Sequence, residues 1–217
     1  MQIFRNKHHE SDPVWHVQLG LLFIVGVQLF LPNRLSAFPR LLIPALIILC
    51  MIGLQILTPR KPIFTSTLRR VVVLILILAV AIANATSLEL LIKAMLHATS
   101  SQAPELLISA TGIYLTNIIV FSLLYWEVDD GGPGQRRLAG TDDRDFLFPQ
   151  QDLGYKLKHP WYPTFLDYLY VSITNATAFS PTDTMPLSRR AKFIMGFQAL
   201  LSLIVVVLVA ARAINIL

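Results

Sequence analysis

Five long apolar runs decide which solvent this chain folds in. The clearest one begins at Val71, where 13 consecutive residues through Ala83 carry no polar side chain. In lipid every backbone polar group must be paired within the protein, so an apolar run of about 20 residues crosses as a helix. The pattern predicts an all-α integral membrane protein with about five transmembrane helices, at about 15–31, 41–57, 71–92, 106–126 and 191–211.

The composition indicates that little of the chain lies outside the membrane. Of its 217 residues, 54% are hydrophobic and only 14% are charged, whereas about a quarter of the residues in a soluble domain are charged. The longest hydrophilic stretch is the loop 127–162, which is too short for a sizeable soluble domain. We therefore divide the chain into an N-terminal helical membrane region, 1–105, and a C-terminal membrane region, 106–217.

A few polar side chains interrupt the apolar runs. Glu89 and Lys93 are four residues apart near the end of the third span, which predicts an ion pair on one helical face at the membrane edge. A buried ion pathway is the alternative, because carboxylates within a membrane are commonly functional. In the fourth span, Thr111, Thr116 and Asn117 are predicted to hold helices together through hydrogen bonds.

The segment between the last two spans has a helical part and an irregular part. Residues 165–174 have the composition of a short helix with an aromatic face, whereas 175–186 contain hydroxyls, two prolines and no helical period. This order predicts a re-entrant, pore-helix-like loop over 163–188, lining a polar cavity because lipid offers no hydrogen-bond partners. The alternative is a surface helix and loop, anchored at the interface by aromatic side chains.

The C-terminal region also has the order of elements found in one family of channels. Over 106–217 an outer helix, a short helix, an irregular stretch and a final helix follow one another, and 172–188 reads Ser-Ile-Thr-Asn-Ala-Thr-Ala-Phe-Ser-Pro-Thr-Asp-Thr-Met-Pro-Leu-Ser. This arrangement resembles the pore domain of potassium channels, with Asp183 and Pro186 at the family's Asp and Pro. The resemblance implies a pore-like shape.

The filter positions depart from that family. In the same register Ser180 and Thr182 stand where the family has glycines, and Pro181 replaces its aromatic residue. Potassium filters need the glycines because only glycine adopts the required dihedrals easily, and Pro181 fixes its own φ. The filter is therefore degenerate, and potassium selectivity is not implied.

A second resemblance concerns three short stretches of the same region. They are the aromatic segment Phe165–Tyr170, the pair Thr182-Asp183, and Arg189-Arg190 before the final helix. In this order they are similar to a group of uncharacterised bacterial membrane proteins. The resemblance implies a multi-pass protein of the bacterial inner membrane and no particular activity.

The basic residues predict an orientation. With five spans and a cytoplasmic N-terminus, 14 of the 18 Lys and Arg residues lie on the cytoplasmic side, as the positive-inside rule requires. The same charges predict a re-entrant loop on the cytoplasmic side, opposite to that of potassium channels. The net charge of +5 predicts no nucleic acid partner, because the basic residues flank apolar runs, where topology and anionic headgroups account for them.

The sequence carries no motif of an enzyme or of a cofactor site. Phosphate-binding, nucleophile and metalloprotease patterns are missing, so we predict no enzyme, no cofactor and no metal. His8-His9 is interpreted as a solvated tail. Asp142, Asp143 and Asp145 are interpreted as a solvated loop, with a divalent-ion site as the alternative. Cys50, which lies in an apolar run, is interpreted as a small buried hydrophobe.

These features favour a channel-like function. One loop with two flanking helices cannot enclose a pore, so we expect a homo-oligomer in the lipid bilayer that passes monovalent cations. Asp183 would raise the local cation concentration. The alternatives are a small secondary transporter with Glu89 as the coupling carboxylate, and a non-transporting scaffold. The candidate pore and ion-binding residues are Thr174, Asn175, Thr177, Ser180, Thr182 and Asp183.

Overall fold

The fold is almost entirely helical. A computed structural model of the chain describes residues 14–36, 38–39, 41–57, 67–97, 102–133, 136, 144–152, 161–177 and 183–214. Within these residues the structure gives the bounds of seven α-helices: α1 (Val14–Phe30), α2 (Leu42–Leu57), α3 (Thr67–His97), α4 (Ala103–Val128), α5 (Pro149–Asp152), α6 (Phe165–Thr177) and α7 (Arg189–Ile214). Short 3-10 turns lie at Asn33–Leu35 and Asp129–Gly131, and the two-residue strands β1 (Phe146–Leu147) and β2 (Met185–Pro186) pair antiparallel.

Three of the helices are long and apolar enough to cross a membrane by length and composition. They cover Arg70–His97, Ala103–Gly131 and Arg189–Ile214, which confirms a helical membrane protein. The helices α1 and α2 also form where apolar runs predicted them, but they contain only 17 and 16 residues. At 1.5 Å per residue, α1 is about 25 Å long, slightly less than a bilayer core of about 30 Å.

The central element is α4, against which α1, α3, α6 and α7 pack. In its apolar stretch 61% of the residues are buried, whereas in α7 only 22% are. At the carboxyl end of α4, aromatic rings from four segments meet, and Phe146 lies 5.3 Å from Tyr125 and 6.1 Å from Tyr168 between ring centroids. Such tilted and edge-on contacts stabilise a core beyond the area that they bury.

Side-chain contacts give the direction of each helix relative to α4. A Cβ added to Gly20 would lie 3.2 Å from Ile119, and one added to Gly112 would lie 3.0 Å from Val27, so α1 runs antiparallel to α4 and packs closely against it through small residues. The helix α3 is antiparallel as well, because Arg70 bonds to the Glu127 carbonyl near one end of α4.

The bundle therefore has two distinct ends. We call the end at which α4 finishes, and α1, α3 and α7 begin, the basic end, which is defined by Arg70, Arg136 and Arg190. At the opposite end Arg34 and Glu105 form an ion pair, with 2.6 Å between Nη2 and Oε2. The chain thus passes from one end to the other in each of α1, α3, α4 and α7.

The chain turns sharply after α4. Asp130, Gly131 and Gly132 all have positive φ, a conformation that glycine adopts without steric cost. At Gly132 a side chain would also be obstructed, because an added Cβ would lie 3.1 Å from the Glu127 carbonyl oxygen. After this turn, Arg136 and β1 lie at the basic end.

Candidate functional site

The candidate site is built around α6, which starts at the basic end. Thr164 precedes the helix, and its backbone N–H and hydroxyl both donate to Asp167 Oδ2, at 2.6 and 2.8 Å. This resembles half of a capping box, in which the acid at the third helical position satisfies the donor of the capping residue. The first helical side chain, Phe165, packs edge-on against Trp126, with 6.3 Å between centroids.

From there α6 runs along α4 towards the middle of the bundle. The Ser172 hydroxyl donates to the Ile118 carbonyl at 2.6 Å. Further along, the Tyr114 hydroxyl donates to the Ala176 carbonyl at 3.1 Å. Since Tyr114 is near the midpoint of the 26-residue α4, α6 ends about halfway along that helix.

After Thr177 the next residue that the structure describes is Asp183, and it lies at the basic end. There β2 pairs with β1, with Phe146 opposite Pro186, and the Leu187 N–H donates to the Asp145 carbonyl at 2.8 Å. Both ends of the segment 163–188 therefore contact the same end of the bundle, while Thr177 lies at its middle.

A buried hydrogen-bond network joins α6 to α4 and α7. Its centre is Gln198, which is fully buried. Gln198 Oε1 accepts from the Tyr125 hydroxyl and, at 2.9 Å, from Asn175 Nδ2. Its Nε2 donates to both the carbonyl and the hydroxyl oxygen of Ser172, at 3.1 and 2.7 Å. All four of these bonds connect different helices, so Gln198 fixes the position of α6.

Asn175 extends this network to the backbone of α7. Its Nδ2 donates to the Met195 carbonyl at 2.9 Å, in addition to Gln198. A second contact, from Asn117 Nδ2 to the Ser202 hydroxyl at 3.1 Å, lies further along the same two spans. In a membrane the lipid tails are as apolar as the helices, so the hydrophobic effect does not drive helices together. Hydrogen bonds between polar side chains of different helices help to hold such a bundle together. The prediction that Asn117 holds helices together is confirmed.

A second polar cluster lies at the basic end, centred on the buried carboxylate of Asp129. Its Oδ1 accepts the backbone N–H groups of Asp145 and Phe146, at 2.9 and 3.1 Å, and its Oδ2 accepts the Tyr168 hydroxyl. A buried carboxylate is tolerated only when donors surround it, and here they come from α6 and from the segment containing β1.

Arg136 is the cation of this cluster and is also buried. Its Nη2 donates to the carbonyls of Trp126 and Asp129, at 2.6 and 3.2 Å, and its Nε lies 3.6 Å from Asp129 Oδ2. The guanidinium carbon is 4.8 Å from the centroid of the Tyr168 ring, a cation–π distance. Arg136 therefore stabilises the carboxyl end of α4 through its charge, its hydrogen bonds and its contact with the Tyr168 ring.

Asp145 connects the start of α7 to the same cluster. Arg190 donates from Nε to Asp145 Oδ1 and from Nη2 to Oδ2, and the Ser188 hydroxyl also donates to Oδ1. Ser188 also accepts the Ala191 N–H at 3.1 Å, as an N-cap does. The interpretation of Asp145 as part of a solvated loop was wrong, because the residue is 1% exposed; Asp142 and Asp143 lie outside the described residues.

The ionisation of Asp145 reflects these contacts. Burial raises the pKa of the carboxyl, but the bonds from Arg190 and Ser188 outweigh it, so the net pKa lies below the ordinary value. A carboxyl with a depressed pKa stabilises the folded state above the ordinary Asp value, near pH 4, and this stabilisation is lost as the pH falls through the lowered value.

The predicted pore residues fall into different environments. Asn175 is buried in the network described above. Thr174 and Thr177 bond back to carbonyls of their own helix, at 3.0 and 2.8 Å, and Asp183 is exposed. Ser180 and Thr182 lie outside the described residues. The prediction that irregular backbone starts at 175 was wrong, because α6 continues to Thr177.

The predicted pair on α3 forms. Lys93 Nζ lies 2.6 Å from Glu89 Oε1, and the side chains are 64% and 62% exposed. The alternative of a buried ion pathway at Glu89 stays a prediction; among the residues that the structure describes, none covers this carboxylate. Thr111 bonds within α4, to the Leu107 carbonyl; among the described residues it makes no bond to another helix, contrary to the prediction.

A small cavity between α3, α4 and α7 is lined by two amides. It has a volume of about 40 Å³, and Asn84 and Asn117 contribute to its wall among apolar side chains. Asn84 Nδ2 donates to the Ile113 carbonyl at 3.3 Å. A cavity of this volume has room for a water molecule, but it is too small for an organic solute.

Several residues of both clusters were not anticipated. The sequence near Tyr125, Asp129 and Arg136 did not indicate that they take part in a buried polar cluster, because their partners are remote in sequence. Gln198 and Ser202 did carry such an indication, since they interrupt an apolar run and are four residues apart on one helical face. Ser172 and Asn175, three apart, present the matching face of α6.

Comparison with known proteins identifies no relative of this chain. Models of protein families, curated proteins and solved structures give no match to the chain. The resemblances to potassium-channel pore domains and to bacterial membrane proteins therefore stay predictions.

Proposed function

We propose that the chain is a channel-like membrane protein in which 163–188 forms a re-entrant pore loop. The observation that carries the proposal is that this segment leaves and regains the same end of the bundle, with Thr177 at the middle. In a bilayer, α6 would descend from one surface to the depth of Tyr114, and Asp183 would again lie at that surface. Irregular backbone at this depth needs protein or water around it, which a pore supplies.

Electrostatics support a cation as the conducted species. The carboxyl end of a helix carries roughly half a negative charge, and the carboxyl end of α6 lies near the middle of α4. The exposed Asp183 adds a full negative charge where the segment returns to the basic end. Together these would attract monovalent cations to the mouth and the interior of the loop.

The surface of α7 supports an assembly of several copies. Eight large apolar side chains on this helix are exposed: Phe193, Phe197, Leu200, Leu203, Ile204, Val206, Val207 and Ile214. An oligomer packed through part of this surface would bring several α6 ends around one axis, and cations would pass there.

The arrangement of the ends supports five spans with a cytoplasmic N-terminus. The basic end gathers the start of α1, the start of α3, the exit of α4 and the start of α7. In the sequence these regions carry 14 of the 18 Lys and Arg residues. We infer that α1 and α2 also cross, with some local thinning of the bilayer, and that the basic end is cytoplasmic.

Cysteine labelling tests the loop and the orientation together. In a Cys50→Ala background, single cysteines replace Gln150 at the basic end, Asp183 after the loop and Asn33 at the opposite end. All three positions are exposed. An impermeant maleimide added to intact cells should label only the cysteine at 33, whereas the cysteines at 150 and 183 should react after permeabilisation. Labelling at 183 together with 33 would contradict the re-entrant path.

Cation flux tests the function. In proteoliposomes the Asp183→Asn variant should conduct monovalent cations several-fold more slowly than the unmodified protein at low ionic strength. The difference should shrink at high salt, because ions screen the charge of an exposed carboxylate. The matched control is Glu89→Gln, which removes an exposed carboxylate far from the loop and should leave flux unchanged.

Two results would exclude the proposal in different ways. Equal flux through Asp183→Asn and the unmodified protein at low ionic strength would remove Asp183 from the conduction path. Absence of any flux above empty liposomes would leave the scaffold alternative. The transporter alternative is weaker than it was from sequence, because Glu89 is exposed and paired with Lys93.

A further inference from the structure

An open groove lies between α1 and α4 on the outer surface of the bundle. It has a volume of about 350 Å³, within the range of about 300–1,000 Å³ that ligand pockets occupy. Small residues form its floor and large apolar ones its walls; these include Gly26, Ser109, Gly112, Phe23, Phe30 and Ile108. Phe30 and Ile108 are 90% and 74% exposed. Because α4 is a membrane-crossing helix, this groove faces the acyl chains of the bilayer.

The groove leads to a pair of opposite charges at the end of the bundle. Leu31 lines the groove, and Arg34 follows it by three residues. On the other wall, Glu105 precedes Ile108 by three residues, so the two lie on one face of α4. The Arg34–Glu105 pair, at 2.6 Å, therefore lies at the mouth of the groove, where a lipid headgroup is expected. Its side chains are 41% and 51% exposed.

We propose that this groove binds a phospholipid whose headgroup carries both a phosphate and a primary ammonium. One acyl chain lies in the groove, the phosphate accepts from the Arg34 guanidinium, and the ammonium donates to the Glu105 carboxylate. An exposed ion pair contributes only about 0–1 kcal/mol, so the headgroup can insert between the two side chains. Each new contact is a charge-assisted hydrogen bond.

The Arg34–Glu105 pair has no net charge, which explains why a headgroup with one phosphate and one primary ammonium fits better than others. An anionic headgroup without an amine would pair its phosphate with Arg34 and leave the Glu105 carboxylate beside it without a cation. A choline headgroup has no N–H to donate to that carboxylate. The zwitterion with a primary amine satisfies both side chains, which is charge complementarity across the whole mouth of the groove.

Native mass spectrometry on protein reconstituted with equal amounts of phosphatidylethanolamine, phosphatidylglycerol and phosphatidylcholine of identical acyl chains tests the proposal. The unmodified protein should retain phosphatidylethanolamine at least several-fold over the other two. In Gly26→Phe the aromatic ring fills the groove, and this adduct should fall at least five-fold. A Cβ at Gly26 meets nothing within 4 Å, so the variant should fold.

The control is Gly196→Phe, which places the same ring at a second open glycine, on α7, and should retain the adduct. Arg34→Gln and Glu105→Gln, both at exposed positions, keep the test independent of the groove substitution. Arg34→Gln should weaken retention of all three lipids, and Glu105→Gln should abolish the preference for phosphatidylethanolamine over phosphatidylglycerol.

Three outcomes would overturn the proposal. The first is an undiminished phosphatidylethanolamine adduct in Gly26→Phe, and the second is equal retention of the three lipids by the unmodified protein. The third is conversion of an oligomer to a monomer by Gly26→Phe without loss of lipid, which would assign the groove to a second copy of the chain. The first two outcomes do not bear on cation flux, so the lipid proposal can fail while the channel proposal stands.

Discussion

The Asp129→Ala variant should lose about 3–5 kcal/mol of unfolding free energy, the cost of breaking a buried ion pair from one side. The substitution leaves Arg136 buried at 7% exposure without its carboxylate. It also leaves the backbone N–H groups of Asp145 and Phe146 without their acceptor. Denaturation of the detergent-solubilised protein by SDS, followed by near-UV circular dichroism, measures the loss.

A double variant separates the charge from the hydrogen bonds. Adding Arg136→Ala to Asp129→Ala removes the uncompensated cation, so the double variant should be more stable than the sum of the two single losses predicts. The matched control is Asp183→Ala, an identical substitution at an exposed site, which should change the free energy by less than about 0.5 kcal/mol. Equal stability of Asp129→Ala and Asp183→Ala would contradict the assigned role of the cluster.

The Gln198→Leu variant should lose about 2 kcal/mol. Gln198 makes four hydrogen bonds between helices, and such bonds in membrane proteins average about 0.6 kcal/mol each. The loss should be accompanied by faster proteolysis after α6, because Asn175 keeps only its bonds to the Met195 carbonyl and the Tyr125 hydroxyl. The same SDS titration measures the free energy, and limited proteolysis followed by mass spectrometry locates the cleavage.

Leu78→Ala provides the comparison for Gln198→Leu. Leu78 is 60% exposed on α3, so its truncation creates no cavity in the core and should cost less than about 1 kcal/mol. If Gln198→Leu is no less stable than Leu78→Ala, the network does not hold α6, and the pore-loop proposal loses its structural basis.

The positions of the helices followed closely from the sequence, because apolar runs mark the stretches that lipid requires to be helical. The predicted span 71–92 and the observed α3, Thr67–His97, differ mainly at the ends. Hydropathy indicates where a helix meets the headgroups, and a helix continues beyond that depth as long as its residues permit. Thr86, Ser87 and Glu89 are compatible with a helix, so α3 extends past them.

The interior of the candidate site was much less predictable. Asn175 was identified from its place in a polar segment, but its partners Gln198 and Tyr125 are brought to it only by packing of three helices. Asp145 was interpreted as solvated because its local sequence is polar. Its burial depends on Arg190, 45 residues later, and no local pattern connects them.

The order in which the helices are synthesised has a consequence for how this protein matures. Asn175 and Ser172, on α6, find most of their partners on α7, which leaves the ribosome after α6, through Gln198 and Met195. Until α7 is inserted, the polar face of α6 has little to bond with except water. We expect α6 to stay at the membrane surface during translation and to move to its final depth only when α7 is inserted.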